Sequence, residues 1–300
     1  MIACIRSARV CVSRKAFVPS EPAASSSLIR RFQSVERQVL FNRHSHNKHA
    51  NAIVSTITLN RPKANAMGRI MLQELSDTLN TLENDDETRC VVVTSSSQKV
   101  FSAGADLKER ATMTMEEASD FVTCLRNAMN RFSRLPMPTV AAVEGVAVGG
   151  GLELALAADL RIAGSNATFG LPETSLAIIP GAGGTQRLSR LIGMARAKEL
   201  IFTARRIDAS TAFDYGLVQH VAKSGEAELK AMELAWEIAK NGPIAIRSAK
   251  EAVDRGIEAS KMEDALEIER ECYQRVIPTH DRLEGLSAFR EGRSPAYKGQ

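Results

Sequence analysis

The sequence predicts an α/β fold whose last third is helical. From residue 51 to about residue 190, short β-branched runs alternate with segments whose apolar residues recur every three or four positions. Beyond residue 190 almost every segment has helical spacing. The 300 residues are 44% hydrophobic and 25% charged, which is ordinary for a globular protein of one large domain or two smaller ones. No apolar run is long enough to predict a membrane-spanning helix.

The pattern between residues 51 and 190 predicts strands and helices that alternate repeatedly. Residues 53–59 alternate apolar and polar, as a half-buried strand does, and residues 90–94 form a β-branched run typical of a buried strand. Pro136 and Pro138 end the helix predicted before them. The predicted strands are 53–59, 90–94, 139–143, 160–163 and 167–170, and the predicted helices are 68–84, 116–134 and 152–158.

The remainder is predicted to be helical. The predicted helices are 194–203, 208–215, 224–240, 243–256, 262–275 and 279–291. We place a core domain at 51–240 and a C-terminal helical region at 241–300.

The N-terminal 35 residues differ from the rest in composition. They contain six basic residues, seven serines and one acid, Glu21. Arg-rich, Ser-rich and acid-poor composition is typical of a mitochondrial or plastid transit peptide, and we predict the mitochondrial matrix; a basic tail without an address is the alternative. Residues 36–50 are predicted to be a flexible mature N-terminus. The spacing of His44, His46 and His49 would allow a metal site, but the segment lacks the periodicity of a helix or strand, which disfavours that interpretation.

Charge and cysteine content exclude several classes. The net charge of +4 leaves −1 once the +5 of residues 1–35 is subtracted, so no basic nucleic-acid face is needed to explain it. The five cysteines form no CxxC pair, so neither a zinc site nor a redox motif is predicted.

A glycine-rich junction is the first candidate site. Residues 149–153, GGGLE, follow a predicted strand and open a helix. The N–H groups of a first helical turn have no intrahelical partner, and the helix dipole favours negative charge there, so this junction suits an oxyanion. The alternative is a glycine hinge for close packing. Neither a GxGxxG dinucleotide motif nor an ATP-binding P-loop is present.

Two glutamates accompany such junctions. Glu153 lies just inside the predicted helix, and Glu173 follows Pro172. Paired acids are weakly suggestive of acid–base chemistry. Each also has an ordinary explanation, as a first-turn carboxylate or a cap.

Five motifs resemble the enoyl-CoA hydratase (crotonase) family in order and spacing. The resemblance runs from about residue 52 to the C-terminus and is nearest to the mitochondrial enoyl-CoA and methylglutaconyl-CoA hydratases. The motifs are FSAGADLKE at 101–109, GGGLEL at 149–154, FGLPE at 169–173, IPGAGGTQRL at 179–188 and DRLEGLSAFREGR at 281–293.

The resemblance implies a fold and residue roles. It implies a spiral of ββα units and C-terminal helices that form trimers, often doubled to hexamers. Ala105 and Gly150 match the two N–H donors to the thioester oxygen, and Glu153 and Glu173 match the catalytic pair. The segment expected to contact coenzyme A comprises Ala103, Ala105, Asp106, Leu107 and Lys108. A loop bordering the adenine, one residue shorter here than is usual in the family, comprises Lys63 and Ala64.

The implied activity is hydration of a 2-enoyl-CoA in fatty acid or branched-chain amino acid breakdown. The alternatives are hydration of 3-methylglutaconyl-CoA and isomerisation of an enoyl-CoA; dehalogenases and thioester hydrolases also belong to the family. Two retained glutamates favour a hydratase, and with the glycines they disfavour a catalytically inactive homologue. RNA binding, known for one relative, is disfavoured because the helix concerned is acidic. No cofactor or metal is expected, since coenzyme A is part of the substrate.

Overall fold

The computed structural model describes residues 36–46 and 49–300, so the predicted targeting segment 1–35 lies outside the described residues. The strands are β1 Val39–His46, β2 His49–Leu59, β3 Thr88–Ser95, β4 Val100–Ser102, β5 Thr139–Val143, β6 Val146–Val148, β7 Leu160–Gly164, β8 Thr168–Gly170, β9 Ile207–Asp208 and β10 His220–Ala222. The helices are α1 Arg69–Glu83, α2 Leu107–Arg110, α3 Met115–Ser133, α4 Gly150–Ala157, α5 Gly184–Ile192, α6 Met194–Thr203, α7 Ala209–Asp214, α8 Ala227–Ala239, α9 Pro243–Gly256, α10 Met262–Val276 and α11 His280–Glu291, with a 3-10 helix at Pro172–Leu176.

The strands form two sheets in a repeating order. One sheet runs β1-β2-β3-β5-β7-β10 and the other β4-β6-β8-β9. Each consecutive pair, β3 and β4, β5 and β6, or β7 and β8, gives its first strand to the larger sheet and its second to the smaller. The pairings among β2, β3, β5 and β7, and among β4, β6 and β8, are parallel. This is the predicted spiral of ββα units.

Burial on both faces explains the continuous apolar strands of the larger sheet. One face packs with α1, α3 and α4 in the main core, and the other packs against α8. The buried residues of α8 recur every four positions and are all alanine, so their small side chains let the helix lie close to the sheet. These alanines are Ala227, Ala231, Ala235 and Ala239.

The long elements agree with the predicted bounds, whereas several short strands were missed. The strand at 139–143 and the helices at 194–203 and 243–256 have the predicted ends. The strands β4, β6, β9 and β10 have only two or three residues each, too few to show a period.

The predicted flexible segment 36–50 is wrong in its central part. β1 pairs antiparallel with β2, from Val39 opposite Leu59 to His46 opposite His49. Backbone pairing along one side forms an edge strand even where the side chains are polar. The predicted domain boundary at residue 51 therefore falls within β2, the second strand of a hairpin.

One histidine of this hairpin, His44, has a polar neighbour on the adjacent strand. His44 Nε2 lies 3.0 Å from Thr56 Oγ1 on the neighbouring strand. Among residues 36–46 and 49–300, no three potential ligands cluster as a metal would require. Within the same residues, no helix combines the length and apolarity needed to cross a bilayer.

Candidate active site

The backbone N–H group that opens α4 and that of Ala105 have no acceptor among the described residues. Gly150 opens that helix, so its N–H has no intrahelical acceptor. Ala105 forms a parallel bridge with Met67: Met67 N donates to Gly104 O at 2.7 Å, and Asp106 N donates to Met67 O at 3.0 Å. That pattern fixes the Ala105 peptide and leaves its own N–H unused within the described part of the chain.

Gly104 lets the two donors come together. Its φ is +84°, and a Cβ there would lie 2.8 Å from Val148 O and 2.9 Å from Gly150 N. From the other side, a Cβ on Gly150 would lie 3.6 Å from Ala105 N. The structure therefore brings Ala105 N close to Gly150, and their shared role as donors to a thioester oxygen stays a prediction. With the α4 dipole behind it, the pair can stabilise negative charge on a carbonyl oxygen.

Glu153 is buried in the first turns of α4, with 2% of its surface exposed. Its Oε1 accepts hydrogen bonds from Ala182 N and Gly184 N, both at 2.8 Å. Gly184 is the first residue of α5, so the carboxylate also lies at the positive end of that helix. Burial raises the pKa of Glu153, and the two N–H donors and the charges of Arg187 and Arg126 partly offset that rise.

Glu173 approaches the same junction from the 3-10 helix. A Cβ on Gly149 would lie 3.2 Å from Glu173 Oε1. Its Oε2 is buried and accepts no hydrogen bond from the described residues. Burial, and then the nearby charge of Glu153, raise the pKa of Glu173 to about 7. The two carboxyl groups thus differ in their environment, with Glu153 supported by N–H donors and Glu173 favoured in its protonated form.

In the segment predicted to contact coenzyme A, some side chains are exposed and one, that of Asp106, contacts other residues of the protein. Ala103 and Lys108 are exposed, and Leu107 is 52% exposed. Asp106 differs, because its carboxylate caps α2 by accepting from Lys108 N and Glu109 N and forms a 2.5 Å ion pair with Arg61. The structure therefore gives Asp106 an internal role that the sequence did not indicate.

The short loop of Lys63 and Ala64 is held against the same segment. Lys63 and Asn65 adopt positive φ of 77° and 46°, which turns the chain sharply. Ala64 O accepts from Ala103 N at 2.9 Å. Buried Asn65 fixes the turn by donating to Ser95 Oγ at 2.8 Å and accepting from Arg61 N at 2.7 Å. The loop and the 103–108 segment are therefore neighbours.

Three residues with structural importance here had no role assigned from sequence. They are Asn65, Arg126 and Arg187. Arg187 lies within the motif at 179–188. Sequence alone does not tell whether an arginine in an amphipathic helix binds a neighbouring loop or points into solvent.

Two neighbouring backbone N–H groups and two carboxyl groups, one of them fully buried, form a candidate active site that could stabilise an oxyanion while protons move. The comparisons with known proteins agree with that class. The model of the family described as enoyl-CoA hydratase/isomerase matches residues 49–300. The chain belongs to this family, whose members act on acyl-CoA substrates.

Two relatives and one solved structure illustrate the similarity. A probable mitochondrial enoyl-CoA hydratase 2 of Arabidopsis thaliana is 52% identical over 244 residues, covering 81% of each chain. The mitochondrial methylglutaconyl-CoA hydratase of Homo sapiens is 45% identical over 285 residues, covering 93% of this chain and 84% of its own. A crystal structure of an enoyl-CoA hydratase from Bacillus anthracis matches with a TM-score of 0.83 at 48% identity, covering 88% of this chain and all of that one.

Proposed function

We propose that this enzyme adds water across the double bond of 2-enoyl-CoA thioesters. The observation that carries the proposal is the convergence of Glu153 and Glu173 on the glycine junction that presents the Ala105 and Gly150 N–H groups. An isomerase needs one acid–base group to move a proton between carbons. A hydratase benefits from two, because water must lose a proton while Cα gains one.

The geometry supports a simple sequence of steps. The N–H groups of Ala105 and Gly150 donate hydrogen bonds to the thioester carbonyl oxygen, and Glu153 takes a proton from the attacking water. The water oxygen bonds to Cβ, and the π electrons move toward the carbonyl oxygen as an enolate. Glu173 then protonates Cα, which completes the addition of one water. The proton held by Glu153 returns to Glu173, and both groups regain their starting states. The pKa near 7 suits Glu173 to the acid role.

A second candidate, hydration of 3-methylglutaconyl-CoA, is favoured by one specific residue. Arg110 ends α2, and its charge partly offsets the rise that burial causes in the pKa of Glu173, so the guanidinium lies within electrostatic reach of that carboxyl group. Among the described residues, nothing accepts a hydrogen bond from that guanidinium. A free cation at this position fits an acyl group that ends in a carboxylate, as 3-methylglutaconyl does.

Product analysis with a substrate panel tests both candidates. Purified protein is expected to convert crotonyl-CoA, longer 2-enoyl-CoAs or 3-methylglutaconyl-CoA to the 3-hydroxyacyl-CoA. If Arg110 binds a distal carboxylate, Arg110→Met will lower kcat/KM for 3-methylglutaconyl-CoA by about 10–100-fold, the loss of one charged hydrogen-bonding contact. Crotonyl-CoA, which lacks that carboxylate, serves as the matched control. An equal loss with both substrates argues against the second candidate.

We further propose a mitochondrial matrix enzyme that assembles as trimers or hexamers. The composition of residues 1–35 and the names of two relatives, which describe mitochondrial enzymes, support the location. Exposed apolar side chains on the C-terminal helices, such as Phe289 and Met262, support assembly. Mitochondrial import of a reporter fused to residues 1–35 tests the location, and a cytosolic reporter would contradict it. The mass from light scattering tests the assembly, and a monomer would contradict it.

A further inference from the structure

The loop 181–184, which holds Glu153, is itself held by two arginines. Arg126, on α3, donates from Nε to Gly181 O at 2.9 Å. Arg187, on α5, donates to Ala182 O at 3.1 Å. The two carbonyl oxygens that accept from arginine therefore alternate along the backbone with the N–H groups of Ala182 and Gly184 that donate to Glu153.

A single peptide group separates Arg126 from Glu153. The carbonyl of Gly181 and the N–H of Ala182 belong to one planar unit, in which the two groups point in opposite directions. A cation at the carbonyl polarises that unit and strengthens donation from its N–H, as happens along chains of hydrogen bonds. The guanidinium is thus coupled to the carboxylate without touching it.

Arg187 connects the loop to α3 as well. Its second terminal nitrogen donates to Asn130 Oδ1 at 2.8 Å and to Ser133 Oγ at 3.3 Å. A Cβ on Gly183, whose φ is +106°, would lie 2.2 Å from Arg187 Nη1, so the guanidinium occupies the space that this glycine leaves. Half-buried Arg187 is therefore enclosed between loop and helix.

The loop needs such support because of its composition. Three of its four residues are glycine, which has the largest backbone freedom of any residue. A Cβ on Gly184 would lie 3.0 Å from Glu153 Oε1, so a side chain there would crowd the carboxylate that this N–H approaches. Fixed N–H donors thus depend on contacts made by other side chains.

We propose that Arg126 and Arg187 are positioning residues that clamp the 181–184 loop, so that its N–H groups keep Glu153 fixed and anionic. The proposal rests on the proposed function in one respect, namely that Glu153 acts as the base. Each arginine also adds a positive charge near that carboxylate. Loss of either therefore shifts Glu153 toward its protonated form.

The test measures the titration of Glu153 directly. Carbon-13 NMR of carboxyl-labelled protein, with Glu153→Gln to assign the signal, gives its pKa without any substrate. We expect the pKa to rise by about one unit in Arg187→Met and by about half a unit in Arg126→Met. Arg187→Lys, which keeps a cation, is expected to fall between wild type and Arg187→Met.

Arg190→Met is the matched control. Arg190 lies on α5 and bonds to Gln186 within that helix. Its removal is expected to leave the titration of Glu153 unchanged. Arg126 is exposed, so Arg126→Met remains usable if Arg187→Met fails to fold.

The kinetic readout separates this proposal from the proposed function. A base must be ionised, so kcat/KM falls as pH falls through the pKa of Glu153, and a raised pKa moves that acidic limb to higher pH. An unchanged Glu153 pKa in both Arg126→Met and Arg187→Met, with or without a loss of thermal stability, overturns the clamp. A raised pKa in a protein that hydrates no enoyl-CoA supports the clamp and contradicts the proposed function.

Discussion

Replacing Glu153 or Glu173 by glutamine is expected to lower kcat by about 10²–10⁴-fold. Glutamine keeps the volume and can still accept a hydrogen bond, but it cannot take or give the proton. KM should change little, because the Ala105 and Gly150 N–H groups and the segment 103–108 hold the substrate elsewhere. The measurement is steady-state hydration of crotonyl-CoA by each variant. The two losses should not add in the double variant, since both groups serve one proton-transfer cycle.

Glu144→Gln is the matched control for these variants. Glu144 is also buried, at 7% exposure, but its Oε1 accepts from Ala227 N at 2.8 Å at the start of α8. We expect this variant to keep its kcat even if its stability falls. If Glu153→Gln retains hydration while Glu173→Gln abolishes it, the enzyme uses a single acid, as an isomerase does, and Glu153 is not the base. Full activity in both would place the site elsewhere.

Gly104→Ala is expected to lower kcat/KM by about 10²–10³-fold, as removal of an oxyanion donor does. The added Cβ would lie 2.9 Å from Gly150 N and 2.8 Å from Val148 O, and both are backbone atoms that cannot swing aside. The strand end and the start of α4 must therefore separate, which pulls Ala105 N away from Gly150 N. Hydration kinetics and thermal unfolding, measured together, check this.

Gly193→Ala separates the catalytic effect from backbone strain. Gly193 has the same φ of +84° as Gly104, but a Cβ there meets no atom within 4 Å. Both alanines carry the cost of a left-handed conformation, which destabilises the fold. Only Gly104→Ala should lose activity in the fraction that remains folded. Equal activity losses would mean that the spacing of the two N–H groups is not what Gly104 provides.

The sequence predicted long elements and glycine-dependent geometry better than it predicted contacts. The helices of the last third and the strand at 139–143 have strong periodicity or β-branched runs, so their bounds were close. β1 was missed because it is an edge strand, whose pairing with β2 depends on backbone groups rather than on an apolar pattern. The spiral itself follows from pairing between strands such as β6 and β8 that are distant in the chain and only three residues long.

The candidate site shows the same division. The glycine run at 149–151 and the two glutamates could be singled out from sequence, because helix termini and acidic pairs have recognisable chemistry. The capping role of Asp106 and the grip of Arg126 and Arg187 on the loop 181–184 could not, because each depends on which backbone carbonyl or cation the fold brings near. The contrast in environment between Glu153 and Glu173 likewise arises from burial and from N–H donors of a distant loop.

The most direct test of hydratase activity uses water labelled with oxygen-18. Crotonyl-CoA is incubated with the enzyme in this water, and the product is analysed by mass spectrometry, beside the Glu153→Gln, Glu173→Gln double variant. The proposed mechanism predicts 3-hydroxybutyryl-CoA that carries one labelled oxygen at Cβ, formed by the wild-type enzyme and lost in the double variant. A product that carries no label and has only a shifted double bond would contradict the mechanism. Labelled product formed equally by the double variant would also contradict it.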